Sequence, residues 1–166
     1  DAPGPICVNS KGVLICAISN YYASVKNTNL CEVHSDGTLH ILRDISNILY
    51  TTVSNNYNIS GITIDSYDNI YMSEVSKTGS SYSGGRILKY SRNNTISVLA
   101  GDGVISYDSY EDGLGTSAKF NHPVGITIDK FNNLYVVDHY KYRVRKITPT
   151  GNFSSVAGIS NTGNTD

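Results

Sequence analysis

The pentapeptide GITID occurs twice in this chain of 166 residues, at residues 61–65 and again at residues 125–129. The similarity extends past the pentapeptide, because residues 69–71 (NIY) correspond to residues 133–135 (NLY). Self-similarity at a fixed spacing is typical of repeat architectures, in which each copy forms one supersecondary unit. The two copies therefore predict successive units of one repeat fold.

Each copy divides into four short segments separated by turns. The first copy reads GITID, IYMSE, RILKY and TISVL, and the second reads GITID, LYVVD, RVRKI and FSSVA. Apolar residues alternate within the segments, which predicts antiparallel strands, whereas no sustained helical period is present. A less regular copy opens the chain with PICVNSKGVLICA and LCEVHSDGTLHIL. We predict four-stranded sheets at residues 3–42, 60–101 and 123–158, with residues 159–166 as a linker towards a further unit.

A single four-stranded sheet cannot bury both of its faces, and radial stacking of such sheets produces a β-propeller. We therefore predict an all-β propeller in which GITID forms the innermost strand of its blade. Complete propellers have about four to eight blades. The expected partners are thus the remaining blades of the same parent chain or a second copy. Until a partner covers them, Val124, Ile126, Ile128 and Val156, or their counterparts in the first blade, are expected to be exposed.

Residues 112–123 (DGLGTSAKFNHP) lead directly into GITID, NNLYVVD and YRVRKIT. This series resembles the NHL-repeat β-propeller family, whose repeat reads like DGxGTxAxFNxPxGIxVDxxGNLYVADxxNxRIRKI. The match is strong over residues 112–158, good over 60–101 and weak over 3–42. The resemblance implies a propeller of about six blades. It does not imply one activity, because the family includes lyases with a channel metal, RNA-binding domains, sensor domains and cell-surface adhesion modules.

The overall charge argues against two classes of partner. The formal net charge is -1 and charged residues make up 16% of the chain, so no basic excess indicates nucleic-acid binding. No apolar run approaches about 18 residues, so we predict no membrane insertion. No phosphate loop, catalytic serine motif or complete calcium loop is present, and we predict no cofactor.

The three cysteines, Cys7, Cys16 and Cys31, contain no CxxC spacing, which disfavours a zinc site built from thiolates. In the hairpin of the second and third strands, Cys16 and Cys31 are expected directly opposite each other. Cross-strand Cβ atoms lie about 4.5–5.5 Å apart, a distance that suits a disulfide. We predict this disulfide, with buried thiols as the alternative, and a free Cys7.

Several polar residues have both a functional and a structural interpretation. Asp65 and Asp129 end the innermost strand, and we interpret them as turn caps in preference to channel-lining carboxylates. Asp138 is expected to form an ion pair with Arg143. His122 and a second histidine, His139, are expected at the same end of the third blade, but a shared metal needs at least about three ligands.

Long loops hold most of the 13 tyrosines and are expected on one face of the propeller. These loops span residues 19–29, 43–59, 75–85 and 102–121. Exposed tyrosines among Ser, Asn and Gly are typical of adaptable recognition surfaces, although the rings could instead pack their own loops. The predicted partner-binding residues are Tyr21, Tyr22, Tyr82, Tyr107, Tyr110 and Tyr140.

These observations predict a non-catalytic binding or structural module that engages a protein or a glycan. We expect it to be extracellular or at the cell surface, with N-glycosylation at Asn58, Asn93 and Asn152. The alternative is an NHL-type metal-dependent lyase or lactonase with a metal in the channel. Recurring His or carboxylate ligands on the channel strands would favour that alternative, and the repeats show none.

Overall fold

The computed structural model describes residues 4–20, 27–45, 56–78, 81–103 and 114–158, where the chain forms three four-stranded antiparallel sheets. The predicted all-β fold is confirmed, and no helix in these ranges is long and apolar enough to cross a membrane. The predicted linker at residues 159–166 lies outside them. The first sheet contains β1 (Ile6–Val8), β2 (Leu14–Asn20), β3 (Asn27–Val33) and β4 (Leu39–Asp44); the second contains β5 (Asn56–Ile64), β6 (Ile70–Thr78), β7 (Ser81–Tyr90) and β8 (Ile96–Ala100); the third contains β9 (Pro123–Ile128), β10 (Leu134–Asp138), β11 (Arg143–Ile147) and β12 (Phe153–Ala157).

The turn between the first and second strands of each sheet is built by one side chain. Asp65 Oδ1 accepts hydrogen bonds from the backbone N–H groups two and four residues later, at 2.9 and 2.8 Å. Asp129 repeats both bonds at 2.8 and 2.9 Å. In the first sheet the amide oxygen of Asn9 accepts the same two bonds at 3.0 and 2.9 Å. The turn-cap interpretation of Asp65 and Asp129 is confirmed.

Two apolar cores separate the three sheets, one between each successive pair. The first strands are neighbours, since β5 contacts both β1 and β9. This arrangement is the one expected for strands around a common centre. The buried residues of the first core are Ile15, Ala17, Leu30, Ile45, Ile59, Ile62, Ile70, Met72, Leu88 and Tyr90. Those of the second core are Tyr71, Ile87, Ala100, Ala118, Phe120, Leu134, Val136, Ile147 and Phe153.

The close approach of β5 and β9 explains the glycine that opens GITID. A Cβ atom at Gly61 would lie 2.5 Å from the carbonyl oxygen of Val124 in the next sheet. Ser73 Oγ donates a hydrogen bond of 2.7 Å to that oxygen, and Ser60 Oγ donates one of 2.6 Å to the carbonyl oxygen of Pro123. Only glycine leaves room for this backbone contact.

The insertion after the second strand of the middle repeat is not the predicted loop at residues 75–85. It lengthens the β6–β7 hairpin, in which Lys77 lies opposite Tyr82. β5 accordingly begins at Asn56 and pairs with Lys77, not at residue 60 as predicted. At about 3.3 Å per residue, roughly four extra residues carry the second sheet about 13 Å further. The second sheet therefore projects at the end where the second and third strands of each sheet are connected.

The predicted disulfide is not formed. Cys16 lies opposite Cys31 in the β2–β3 register, as expected, but all three cysteines are free thiols. Both side chains are buried and continue an apolar row that begins at Ile6 and ends at Ile41. They thus pack as small apolar groups, which was the alternative interpretation. Burial raises the pKa of all three thiols, to about 11 for Cys7, so little reactive thiolate is present at neutral pH.

Candidate functional site

The structure places one of the six predicted partner-binding tyrosines on an exposed surface. The side chain of Tyr140 is 44% exposed, in the short 3-10 helix (His139–Lys141) that connects β10 to β11. The backbone of Tyr82 lies in β7. The other four predicted residues lie outside the described part of the chain: Tyr21, Tyr22, Tyr107 and Tyr110.

The rings of His122, His139 and Tyr140 contact one another, and Tyr142 follows two residues later in the chain. We call these four residues the aromatic patch. The His122 ring lies 5.3 Å from that of His139 and 4.6 Å from that of Tyr140, and the last two rings are 5.1 Å apart. The expectation that His122 and His139 lie at one end of the blade is confirmed. Tyr142 ends the 3-10 helix in the left-handed conformation, φ 51°, and is 71% exposed. Sequence analysis did not select Tyr142, although it is a tyrosine in the same connection.

Within the aromatic patch, the environment of the His122 ring favours its neutral form. Burial lowers the pKa of His122, and the neighbouring His139 lowers it further. The backbone of His122 has φ 90°, a conformation that residues other than glycine seldom adopt. The backbone N–H of His139 donates a 3.0 Å hydrogen bond to the His122 carbonyl oxygen. The surrounding structure therefore holds an unusual conformation that keeps the two rings together.

A buried carboxylate, that of Asp138, lies directly before the 3-10 helix that carries His139 and Tyr140. Asp138 Oδ1 accepts a 2.8 Å hydrogen bond from the backbone N–H of Asn121, and Asp138 Oδ2 lies 3.7 Å from Arg145 Nη1. Burial raises the pKa of Asp138 to about 6, against the opposing effects of the Asn121 N–H and Arg145. Arg143 lies opposite Asp138 in register, and the predicted ion pair between them stays a prediction. Arg145 is a partner that the sequence prediction did not name. Asp138 thus joins the end of β10 to the chain that enters β9.

The middle blade has a comparable pair at the matching position. Glu74 is fully buried, and both its carboxylate oxygens accept hydrogen bonds from Arg86, the Nη2 bond measuring 2.7 Å. Burial raises the pKa of Glu74, while Arg86 opposes that rise. A buried carboxylate near an arginine therefore occupies matching positions in the second strands of both well-matched repeats, at the end of β10 and within the longer β6.

The predicted glycosylation sites occupy different environments. Asn93 is exposed in the β7–β8 turn, where its Oδ1 accepts a 2.7 Å hydrogen bond from Thr95 Oγ1. Asn152 is exposed at the turn before β12, and its backbone N–H donates to Thr148 Oγ1 at 3.1 Å. Asn58 is half-buried within β5. Asn93 and Asn152 are therefore the more accessible acceptors.

Sequence comparison detects relatives over part of the chain. No family profile matches. Over 55 residues the chain is 44% identical to NHL repeat-containing protein 2 of Homo sapiens. The matched segment covers 32% of this chain and 8% of that protein. The predicted NHL-repeat resemblance is confirmed. Over 70 residues the chain is also 44% identical to Teneurin-1 of Caenorhabditis elegans, and this match covers 40% of this chain and 2% of that protein. The chain thus spans less than a tenth of these curated relatives.

Comparison of structures finds similar folds over most of the chain. A gluconolactonase from Xanthomonas campestris superposes with a TM-score of 0.55 at 15% identity, over 92% of this chain and 46% of that one. A protein of unknown function from Bacteroides caccae gives a TM-score of 0.51 at 15% identity, over 93% and 45%. The chain therefore spans about half of these structures. At such identities the likeness shows the propeller fold alone.

Proposed function

We propose that this chain is a binding module of an NHL-type propeller and that its aromatic patch engages a protein partner. The observation that carries the proposal is the exposure of Tyr140, which contacts the half-buried His122 ring, and of the nearby Tyr142. Tyrosine rings offer large, rigid contact areas and a hydroxyl at low entropic cost. The projecting β6–β7 hairpin lies at the same end, so a partner would meet a shaped surface. A glycan that stacks on the rings is the alternative occupant.

The arrangement of ionisable side chains supports binding over catalysis. A metal-dependent lyase or lactonase needs His or carboxylate ligands on the strands around the centre. The sequences of β1, β5 and β9 contain no such residue. Asp65 and Asp129, which follow β5 and β9, are occupied by their own turns. The likeness to a gluconolactonase is one of fold and carries no activity.

A site-specific cross-linking experiment tests the proposed surface. The photo-reactive residue p-benzoylphenylalanine replaces Tyr140 or Tyr142, and in control variants it replaces Tyr67 or Phe131. These control residues are exposed in the turns at the opposite end of the blades. We expect one defined protein adduct from the Tyr140 and Tyr142 positions only. Equal labelling from all four positions would contradict the proposal, and labelling of a glycan probe instead would establish the alternative occupant.

We also propose that the protein functions outside the cytoplasm. Asn93 and Asn152 are exposed sequon residues that a glycosylating enzyme can reach. Expression of the chain behind a signal peptide in a eukaryotic host should give a mass increase that Asn93→Gln and Asn152→Gln remove stepwise. Asn58→Gln should have the least effect, because Asn58 lies half-buried within β5. An unglycosylated secreted product would remove this support.

The outer face of the first sheet indicates a structural partner. Ile6 is 64% exposed, and Ile41, in the same row, is 56% exposed. A second row of this face joins Val8, Leu14, Val33 and Leu39 across all four strands. In the third sheet the corresponding face, which includes Val136, packs against the second sheet. We propose that a further blade of the same parent polypeptide covers the first sheet, with a second copy as the alternative.

The third sheet supports the same proposal from its other side. Gly125 occupies the position in the third sheet that Gly61 occupies in the second. At Gly61 the backbone of the next sheet leaves no room for a Cβ atom. Gly125 itself is exposed, and a Cβ atom there would meet Val137 Cγ2 only at 3.8 Å within the described residues. In the third blade Val156 is exposed, as expected, Val124 is half-buried, and Ile126 and Ile128 pack against the second core. In the first blade Ile6 and Val8, the counterparts of Ile126 and Ile128, are exposed.

A further inference from the structure

We propose that Glu32, His34 and His40 form a surface site for a divalent transition-metal ion, with Zn²⁺ as the preferred occupant. One ligand atom from each side chain lies within 4.8 Å of the other two. The site is on the β3–β4 hairpin of the first blade, away from the centre of the propeller and from the aromatic patch. The proposal is therefore independent of the proposed binding function.

Strand geometry brings the three side chains together. Successive side chains of a strand alternate between its faces, so Glu32 and His34 point to the same side. His40 lies directly opposite Glu32 in the β3–β4 register, and His40 Nδ1 is 4.0 Å from Glu32 Oε2. The rings of His34 and His40 meet edge to face with their centroids 6.0 Å apart. Glu32 on β3, His34 directly after β3 and His40 on β4 thus present three ligand atoms within 4.8 Å of one another.

The turn that carries His34 is held by its own hydrogen bonds. The backbone N–H of His34 donates to the Thr38 carbonyl oxygen at 2.9 Å. Asp36 Oδ1 accepts hydrogen bonds from the Thr38 backbone N–H at 2.8 Å and from its hydroxyl at 2.6 Å. Asp36 is therefore engaged in the turn, and the hairpin backbone is in place before an ion arrives. Such preorganisation lowers the ordering cost of binding.

The ligand set determines which ion fits. With Zn–N distances of about 2.0–2.1 Å, tetrahedral ligand atoms lie about 3.3 Å apart. From the present spacing of up to 4.8 Å the ligand atoms have to approach by up to about 1.5 Å. Both histidines are exposed enough to rotate. Two imidazoles and one carboxylate suit Zn²⁺, Ni²⁺ or Cu²⁺, whereas Mg²⁺ and Ca²⁺ prefer oxygen ligands. Three protein ligands leave at least one position for water or for a ligand atom of another molecule.

Titration calorimetry of the whole chain with ZnCl₂ tests this site. We expect one Zn²⁺ per chain, reversed by EDTA, and no heat from MgCl₂ or CaCl₂ under the same conditions. Loss of an outer-sphere partner alone typically costs about tenfold in metal affinity, so His34→Ala or His40→Ala should weaken binding by at least about tenfold. His139→Ala, which removes an exposed imidazole from another blade, should leave the affinity unchanged.

Two further measurements distinguish this site from the other metal-binding groups. Bound Co²⁺ should show d–d absorption without the charge-transfer band of a thiolate, which separates the site from Cys7 and the two buried cysteines. Zn²⁺ should raise the Tm of the unsubstituted chain and not that of His40→Ala, since an ion that binds only the folded state stabilises it. Absence of Zn²⁺ binding, a thiolate band, or equal losses from His139→Ala and His40→Ala would each overturn the proposal.

Discussion

The hydroxyl of Tyr71 donates a hydrogen bond of 3.0 Å to Asp65 Oδ2, and both residues are buried. Tyr135 repeats this bond to Asp129 at 3.2 Å. Because the other oxygen of Asp65 caps the turn, one carboxylate connects the turn to the second strand. The bond also explains why an aspartate and a tyrosine recur at fixed spacing in the two well-matched repeats.

Substitutions at this hydrogen bond should lower the free energy of unfolding more when they leave more donors without an acceptor. Tyr71→Phe removes one hydrogen bond and should lower the free energy of unfolding by about 1 kcal/mol. Asp65→Ala removes that bond and also leaves two N–H groups of the turn and the Asn69 side-chain amide without their acceptor, and it should cost about 2–3 kcal/mol. Urea unfolding measures both, with Tyr67→Phe at an exposed ring as the neutral control. A cost for Asp65→Ala no greater than that for Tyr71→Phe would argue against the capping role.

Removing one partner of the buried Glu74–Arg86 pair should lower the free energy of unfolding more than replacing both partners with apolar residues. Glu74→Gln leaves the guanidinium without a counter-charge, and removing one partner of a buried pair typically costs about 3–5 kcal/mol. A double replacement of both residues by methionine should recover most of that loss, because no buried charge remains. Thermal unfolding of the single and double variants provides the comparison. Equal destabilisation in Glu74→Gln and in the double methionine variant would show that an unpaired buried charge does not cause the loss of stability.

Asp138 should make stability depend on pH in a defined window. Its pKa is raised from 3.8 to about 6 in the folded protein, so between these values the folded state binds more protons than the unfolded state. Stability therefore falls as pH rises from about 4 to about 6, by at most about 3 kcal/mol for a shift of about two units. Arg145, Arg143, Lys141 and the Asn121 N–H face the carboxyl group and reduce this effect.

The Asp138→Asn variant isolates this contribution. Urea unfolding at several pH values should show a flatter profile between about pH 4 and pH 6 than in the unsubstituted chain. His122 acts in the opposite sense, because its lowered pKa makes the folded state bind fewer protons as pH falls. His122→Asn serves as the control and should leave the Asp138 contribution in place. Identical profiles for Asp138→Asn and the unsubstituted chain would contradict the assignment.

The three thiols should react slowly in the folded protein. Burial raises the pKa of Cys7, Cys16 and Cys31, so the nucleophilic thiolate is scarce. Mass spectrometry after alkylation without a reductant should show slow modification in buffer and three modified cysteines after denaturation. Two unreactive cysteines in the denatured, unreduced chain would show that Cys16 and Cys31 do form a disulfide.

The apolar face of the first sheet should make the isolated chain associate. Exposed apolar side chains on β1, β2 and β4 favour contact with another surface. Ile6→Lys combined with Ile41→Lys should shift the solution mass towards that of the 18.0 kDa chain. Tyr67→Lys, which changes an exposed ring at a turn, should not. Analytical ultracentrifugation decides the matter, and an unsubstituted chain that stays monomeric at high concentration would contradict the proposed partner.

Much of the fold was predictable because its signals are local. Strand alternation and the turn chemistry of Asp65 and Asp129 depend on residues within one repeat, so the repeat itself displays them. The opposition of Cys16 and Cys31 followed from hairpin register in the same way. Strand ends were less predictable: the residues near Lys77 and Tyr82 have loop-like composition, yet neighbouring strands extend and pair them.

The sequence by itself determined the repeat, the four-stranded unit and the all-β class, since each depends on short-range periodicity. Only the tertiary structure decided which apolar residues are covered, because burial depends on the neighbouring sheet: Ile126 packs against the second core, while its counterpart Ile6 is exposed. The tertiary structure also decided that Arg145 approaches Asp138 and that His34 and His40 converge on Glu32. Such convergence depends on side-chain placement across strands, which spacing along the chain does not specify.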